Sequence, residues 1–191
     1  MYLLINRASI LFVVVLFGCS QQKQATTKMF YNIDSLVSVQ INSLKGGDHQ
    51  LNKSVEINRQ TEQAAFAPDS LQWAHELDIF RGLDQINKNS FRDAYIVTDS
   101  RDPNSNLTVR ELKANRPVPV SLVRFYFLHT PNDLRKIEGV LTEENALYVN
   151  DRKVTMELDH NHILTHYRIE GSQKMVMSDS VHFIIVGAVA E

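Results

Sequence analysis

Three histidines lie close together in the segment DHNHILTH, at residues 159–166. His160 and His162 are two positions apart, which would place both imidazoles on one face of an extended strand, and such pairs bind zinc. His166 falls on the same face as His162, and three protein ligands would leave an open position of the kind a catalytic metal uses. The alternative interpretation makes Asp159-His160-Asn161 a hairpin turn, which would break that geometry. We favour the turn and expect neither a metal nor another cofactor.

Cys19 is the single cysteine of the 191-residue chain, so the chain cannot form an intrachain disulfide. It follows an apolar stretch at residues 8–18, which is preceded by one basic residue, Arg7. Such a stretch is typical of a signal-peptide core and is too short to cross a bilayer as a helix. The polar segment at residues 20–28, SQQKQATTK, indicates a flexible tether.

The segment Leu16-Phe17-Gly18-Cys19 resembles the lipobox of bacterial lipoproteins. The resemblance implies that residues 1–18 are a signal peptide, that Cys19 is the lipid attachment site, and that residues 19–28 tether a domain at 29–191. Ser20, rather than Asp, follows the cysteine, which in lipoprotein sorting implies the outer membrane. We expect the domain to face the periplasm. The alternative is an uncut signal anchor with a free cysteine.

The wider sequence resembles small lipoproteins of the Bacteroidota in three segments: LQWAHELDIF (71–80), NALYVNDRKV (145–154) and HYRIEGSQKM (166–175). This resemblance implies a location in the cell envelope and brings no catalytic residues. The Asp-Ser-aliphatic tripeptides at 34–36, 69–71 and 179–181 are also similar to the O-glycosylation site of that phylum. The same Asp-Ser pairs suit helix caps and turns, and both interpretations remain open.

Two helices are predicted ahead of a long β region. Apolar residues at helical spacing form a stripe between Phe30 and Leu44, with Asn32 or Asp34 as the cap and Gly46-Gly47 at the end. A second helix is predicted over Asp69–Arg81, with Trp73, Leu77 and Phe80 buried and Gly82 at its end. Segments 54–58 and 63–67 between the helices suggest a short hairpin.

Beyond residue 89 the apolar pattern changes to a period of two, which predicts about seven or eight strands. The predicted strands are 94–98, 107–113, 118–128, 134–141, 146–150, 154–158, 163–170 and 181–189. Their short connections favour antiparallel neighbours. We therefore expect an α+β fold in which a curved antiparallel β-meander, open like a half-barrel, packs against one or two N-terminal helices. A sheet closed towards a small barrel is the alternative.

Two repeated segments, Tyr167-x-Ile-x-Gly171 and Phe183-x-Ile-x-Gly187, predict equivalent positions in paired strands where glycine permits a bulge or a close approach.

The net charge of −2 argues against a nucleic-acid partner, which would require a concentrated basic face. The chain also lacks a Gly-x-Ser-x-Gly motif and a complete HExxH motif. We therefore expect a non-enzymatic protein anchored to the membrane. One hypothesis is an interaction module that binds another envelope protein through exposed strand edges or the run Phe125-Tyr126-Phe127, although Phe125 and Phe127 share one face, which favours a place in the core. The other is a half-barrel carrier that binds a lipid or another apolar ligand.

Overall fold

A computed structural model describes residues 30–46 and 49–190. Nine strands form one antiparallel sheet beside two α-helices, α1 and α2. The helices are α1 (Ile33–Leu44) and α2 (Ser70–Arg81), followed by 3-10 helices at Gly82–Asn87 and Asn89–Phe91. The strands are β1 (Gln50–Ile57), β2 (Gln60–Phe66), β3 (Tyr95–Arg101), β4 (Thr108–Ala114), β5 (Val120–Phe127), β6 (Leu134–Glu144), β7 (Tyr148–Leu158), β8 (Leu164–Met175) and β9 (Val181–Ala190).

The strand order is β2-β1-β9-β8-β7-β6-β5-β4-β3. Strands β3 to β9 form a continuous meander, and the β1–β2 hairpin joins it because β1 pairs with β9. β2 and β3 are the two edges of this open sheet. The expected α+β fold with a curved antiparallel meander is confirmed, and the hairpin suggested between the helices is present.

Both helices are capped by a residue that the sequence predicts as a cap. The side chain of Asn32 accepts a hydrogen bond from the Ser35 amide at 3.0 Å and caps α1. At α2, Asp69 accepts from the Gln72 amide while the Gln72 side chain accepts from the Asp69 amide, each at 2.8 Å. These reciprocal bonds satisfy amides that the first helical turn leaves free.

The core lies between the helices and one face of the sheet. Trp73, Leu77 and Phe80 of α2 are buried there, as predicted. On β7, Val154 and Met156 are buried while Thr155 between them is partly exposed, so one face packs and the other is wetted. Burial of this continuous apolar cluster is the dominant stabilising contribution.

The outer face of the sheet carries opposite charges on neighbouring strands. Arg124 donates to Glu111 at 2.6 Å and lies 3.8 Å from Glu138. Burial alone would raise the pKa of Glu138, but hydrogen bonds from Lys136 and Tyr126 and nearby positive charge hold that pKa below its ordinary value. These cross-strand pairs stabilise the sheet on its wetted side.

One local prediction was wrong. The sequence ended a strand at residue 150 and began the next at 154, but β7 continues through Asn150 and Asp151, and Asp151 accepts a hydrogen bond from Thr142 of β6 at 2.8 Å. Cross-strand pairing therefore overrides the turn tendency of this dipeptide. The second helix does end where predicted, because α2 stops at Arg81 with Gly82 as its C-cap; a 3-10 helix that buries Leu83 and Ile86 then follows.

The predicted signal peptide (1–18), the tether (19–28) and the lipid attachment site Cys19 lie outside the described residues. Within the described ranges, no helix is long and apolar enough to cross a membrane.

Candidate functional site

A groove of about 870 Å³ lies where α2 and the following 3-10 helix meet the C-terminal part of β6 and the neighbouring part of β7. Its apolar lining includes Ile79, Pro119 and Leu141, and most of its other lining residues are polar or charged. The charged residues of the lining are Asp34, Asp78, Arg81, Asp84, Lys88, Glu143, Glu144 and Arg152. Several of these charges are already paired: Arg81 lies 2.5 Å from Asp34, and Arg152 lies 3.4 Å from Glu143. Much of the polar lining therefore holds α1, α2 and the sheet together.

A second, more apolar pocket of about 420 Å³ lies on the helix-facing side of the sheet, beside the edge strand β3. We call it the aromatic pocket; it is lined by Phe30, Tyr31, Val97, Arg110, Leu112, Phe125, Phe127 and Pro131. Phe125 and Phe127 stack with ring centroids 6.2 Å apart, and the Tyr31 ring lies 5.3 Å from that of Phe125. Burial raises the pKa of Tyr31 above its ordinary value.

The rim of the aromatic pocket carries an ion pair. Arg110 of β4 donates two hydrogen bonds to Asp99 of β3, each at 2.8 Å. These bonds lower the pKa of the Asp99 carboxyl and raise that of the Arg110 guanidinium. Both side chains are about half exposed, so the pair fixes geometry more than it adds stability.

The two edges of the sheet differ in character. β2 exposes a polar row that includes Thr61, Glu62 and Gln63. β3 exposes Ile96 and Val97 in its first half, where Val97 also lines the aromatic pocket, and polar or charged residues over Thr98–Arg101. Charged and polar edge residues discourage pairing with a further strand, and apolar edge residues leave it open. The first half of β3 is therefore the stretch where large apolar side chains leave the edge open to another strand.

The sequence does not reveal this pocket, because residues that line it, such as Phe30 and Pro131, are far apart along the chain. Phe30 was placed on the stripe of the first helix, but α1 begins only at Ile33. Phe30 instead donates its amide to Asn87 at 2.9 Å, and its ring packs against Tyr95 at 6.1 Å. The aromatic run at 125–127 is buried, and Phe125 and Phe127 belong to the core, as their shared face favoured.

The histidine segment forms a turn. The His162 amide donates to the Asp159 carbonyl at 3.1 Å, and His162 has φ of 62°, which is not extended. His166 lies within β8, opposite Glu157. The three imidazoles therefore do not share the face of one strand. Across residues 30–46 and 49–190, no group of three His, Cys, Asp or Glu side chains is placed to hold a metal ion.

The three Asp-Ser-aliphatic tripeptides all present an exposed serine, at Ser35, Ser70 and Ser180. The first two occupy helix starts, where Asp69 is the cap of α2 and Asp34 pairs with Arg81. The aspartates of these two sites thus have structural roles, while the serine hydroxyls remain accessible.

A partly buried triad of side chains joins α2 to the sheet. Glu76 lies 2.6 Å from Lys53 of β1 and accepts a hydrogen bond from the Tyr167 hydroxyl of β8 at 2.5 Å. Burial, followed by that hydrogen bond, raises the pKa of Tyr167 far above its ordinary value. The tyrosine therefore stays protonated, and the triad fixes the position of α2.

Comparison with protein-family models, with curated proteins and with solved structures found no match for the chain.

Proposed function

We propose that the chain is a lipid-anchored protein of the bacterial outer membrane whose periplasm-facing domain binds an extended segment of another envelope protein. It acts as a non-enzymatic interaction module. The observation that supports this most directly is the open edge of β3, which exposes Ile96 and Val97 beside the aromatic pocket.

Backbone groups on the free side of β3 favour an added strand. An edge strand presents unpaired amides and carbonyls at the spacing of an extended chain, and strand addition satisfies them with main-chain hydrogen bonds. β3 pairs with β4 alone along Tyr95–Arg101, so its other side is open along that length. The partner segment would form a tenth strand.

Side-chain recognition would come from the pocket. Val97 pairs with Leu112, and both line the aromatic pocket on the helix-facing side of the sheet. Because alternate residues of a strand point to the same face, every second residue of the added segment would face the pocket side. A pocket of about 420 Å³ with aromatic walls suits one large apolar side chain.

The packing of the interior favours a module over a carrier. The space between the helices and the sheet is filled by one apolar cluster that includes Trp73, Phe80 and Tyr167. The larger groove is polar and crossed by ion pairs. The aromatic pocket alone favours the second candidate, a carrier of an apolar ligand, because its volume would hold part of an acyl chain.

The anchor rests on the resemblance of residues 16–19 to a lipobox and on the polar character of the following tether. Ten residues, 20–29, separate Cys19 from the first described residue, Phe30. Such a tether spans at most about 40 Å when fully extended. It would keep the domain at the membrane while leaving β3 accessible to a partner.

Site-specific photocrosslinking in cells tests the proposal. A photoreactive amino acid at Val97 should yield one discrete adduct with an envelope protein, mapped by mass spectrometry to an extended segment. The same group at Leu71, which is exposed on α2 (66%, against 44% for Val97), is the control and should not yield that adduct. Ile96→Lys, which adds a charge to the edge, should abolish it.

Equal adducts at positions 97 and 71, or an adduct that survives Ile96→Lys, would contradict strand addition at β3. The carrier hypothesis predicts a different outcome. A fluorescent fatty acid would bind the purified protein at one site, and Val97→Trp would abolish that binding because the larger side chain fills the pocket. No protein adduct would form in cells.

A further inference from the structure

Four exposed aliphatic side chains cluster on two neighbouring hairpin turns. Leu147 lies in the β6–β7 turn, and Met175, Val176 and Met177 lie at the β8–β9 turn. The Val176 amide donates to the Leu147 carbonyl at 2.9 Å, which holds the two turns side by side. We call these four residues the apolar apex.

The composition of the apex is unusual for turns, which favour Gly, Asn, Asp and Ser. Leu147 is 69% exposed, Val176 is 60% exposed, and Met177 is fully exposed in a left-handed conformation with φ of 67°. Contiguous apolar surface of this kind marks a site of contact with a protein or a membrane. None of it contributes to the core or to the aromatic pocket.

The position of the apex relative to the tether points to the membrane. Neighbouring strands alternate in direction, so the start of β3 lies at the same end of the sheet as the β6–β7 and β8–β9 turns. Phe30, the first described residue, packs against Tyr95, the first residue of β3. Phe30, which follows the tether in sequence, therefore contacts the domain near the end of the sheet that carries the apex.

We infer that the apolar apex inserts into the surface of the bilayer that holds the lipid anchor. This inference rests on the proposed anchorage at Cys19. Convex aliphatic side chains fit a fluid hydrocarbon phase, whereas the strongest residues of protein interfaces are Trp, Tyr and Arg seated in packed pockets. Two membrane contacts on one chain strengthen each other, because the first holds the second at high local concentration. The apex would then fix the orientation of β3 above the membrane.

Environment-sensitive fluorescence tests the inference on the lipidated full-length mature protein. Acylation blocks Cys19, so Met177→Cys would provide the single thiol for a nitrobenzoxadiazole dye. On vesicles of phosphatidylethanolamine and phosphatidylcholine we expect a blue shift and a rise in emission at position 177. A dye at Leu147→Cys should behave in the same way. The control, Leu71→Cys, lies just after β2 at the opposite end of the sheet and should show no shift.

Each outcome decides a separate point. A shift at positions 177 and 147 but not at 71 supports insertion of the apex. If the acylated protein binds the vesicles but the dye emission at position 177 does not shift, the inference is overturned and the proposed function stays intact. An equal emission shift at positions 177, 147 and 71 has the same meaning. Labelling of Cys19 itself would show that the thiol is free, which overturns the proposed anchorage and the inference together.

Discussion

The ring of Tyr167 lies directly over Gly187 on the paired strand. The two residues face each other across the β8–β9 register, and a Cβ added at position 187 would overlap the ring. Four residues along, Phe183 pairs with Gly171, where an added Cβ would overlap the Asp151 carbonyl oxygen and meet the Phe183 ring at 2.9 Å. The repeated aromatic-x-Ile-x-Gly segments thus pair antiparallel, with the aromatic residue of each opposite the glycine of the other.

Gly187→Ala should destabilise the protein because the new methyl group must displace the Tyr167 ring, which also bonds to Glu76. Overpacking of this kind costs about 1 to 3 kcal/mol in the free energy of unfolding. Urea denaturation followed by circular dichroism measures the change. Gly46→Ala is the control, since a Cβ at position 46 meets nothing within 4 Å. Equal stability of Gly187→Ala and the wild type would show that the ring is free to move.

The paired repeat shows what sequence can predict here. Glycines at equal spacing from two aromatic residues indicated paired strands, and the structure confirms the pairing. The register is regular at these positions, so the glycines permit close approach, of a ring at Gly187 and of the β7 backbone at Gly171, and do not form bulges. The period of two beyond residue 89 likewise predicted strands, and along β7 it matches the buried face because alternate residues point to the same side of the sheet.

Other features depend on partners that are distant in the chain. The pocket beside β3 brings together Phe30, Val97 and Pro131 from three separate segments, and no local pattern encodes that proximity. Leu83 is buried where Gly139 lacks a side chain, which explains a 3-10 helix that capping and periodicity did not predict. Gln40 lies on the buried face of α1 and was missed because it is polar.

Gln40→Leu should be strongly destabilising although it replaces a polar residue in the core with an apolar one. The Gln40 side chain donates to the His162 carbonyl at 2.9 Å and accepts from the Leu164 amide at 2.8 Å. The substitution leaves the buried Leu164 amide unpaired, at a cost of about 1 to 3 kcal/mol, and also removes the donor to the partly buried His162 carbonyl. Chemical denaturation measures this loss. Val39→Ala, on the exposed side of α1, should change stability by less than about 0.5 kcal/mol.

Stability should fall at high pH partly through Tyr95. Burial raises the pKa of Tyr95 from 10.0 to about 12, against a smaller opposing influence of Arg116. The pKa of Tyr95 is higher in the folded protein than in the unfolded chain. The contribution of its protonated hydroxyl to the free energy of unfolding is therefore complete below pH 10 and is lost as the pH rises towards 12. The difference in tyrosinate absorbance between the wild type and Tyr95→Phe should therefore show one ionisation near pH 12. An ionisation at pH 10 would contradict burial of this hydroxyl beside Val120, whose carbonyl accepts its hydrogen bond at 2.8 Å.

Acylation of Cys19 should be directly observable, and it is the premise of the proposed location. Cells grown with a clickable palmitate analogue should label the wild-type chain, whereas Cys19→Ala should lose the label because it removes the acceptor thiol. Ser20→Ala is the matched control, since it changes the neighbouring residue and should retain the label. Several acyl chains hold a protein stably at a membrane, so the labelled wild type should resist extraction by carbonate. An intact mass that includes residues 1–18 and no acyl group would instead indicate the uncut signal anchor.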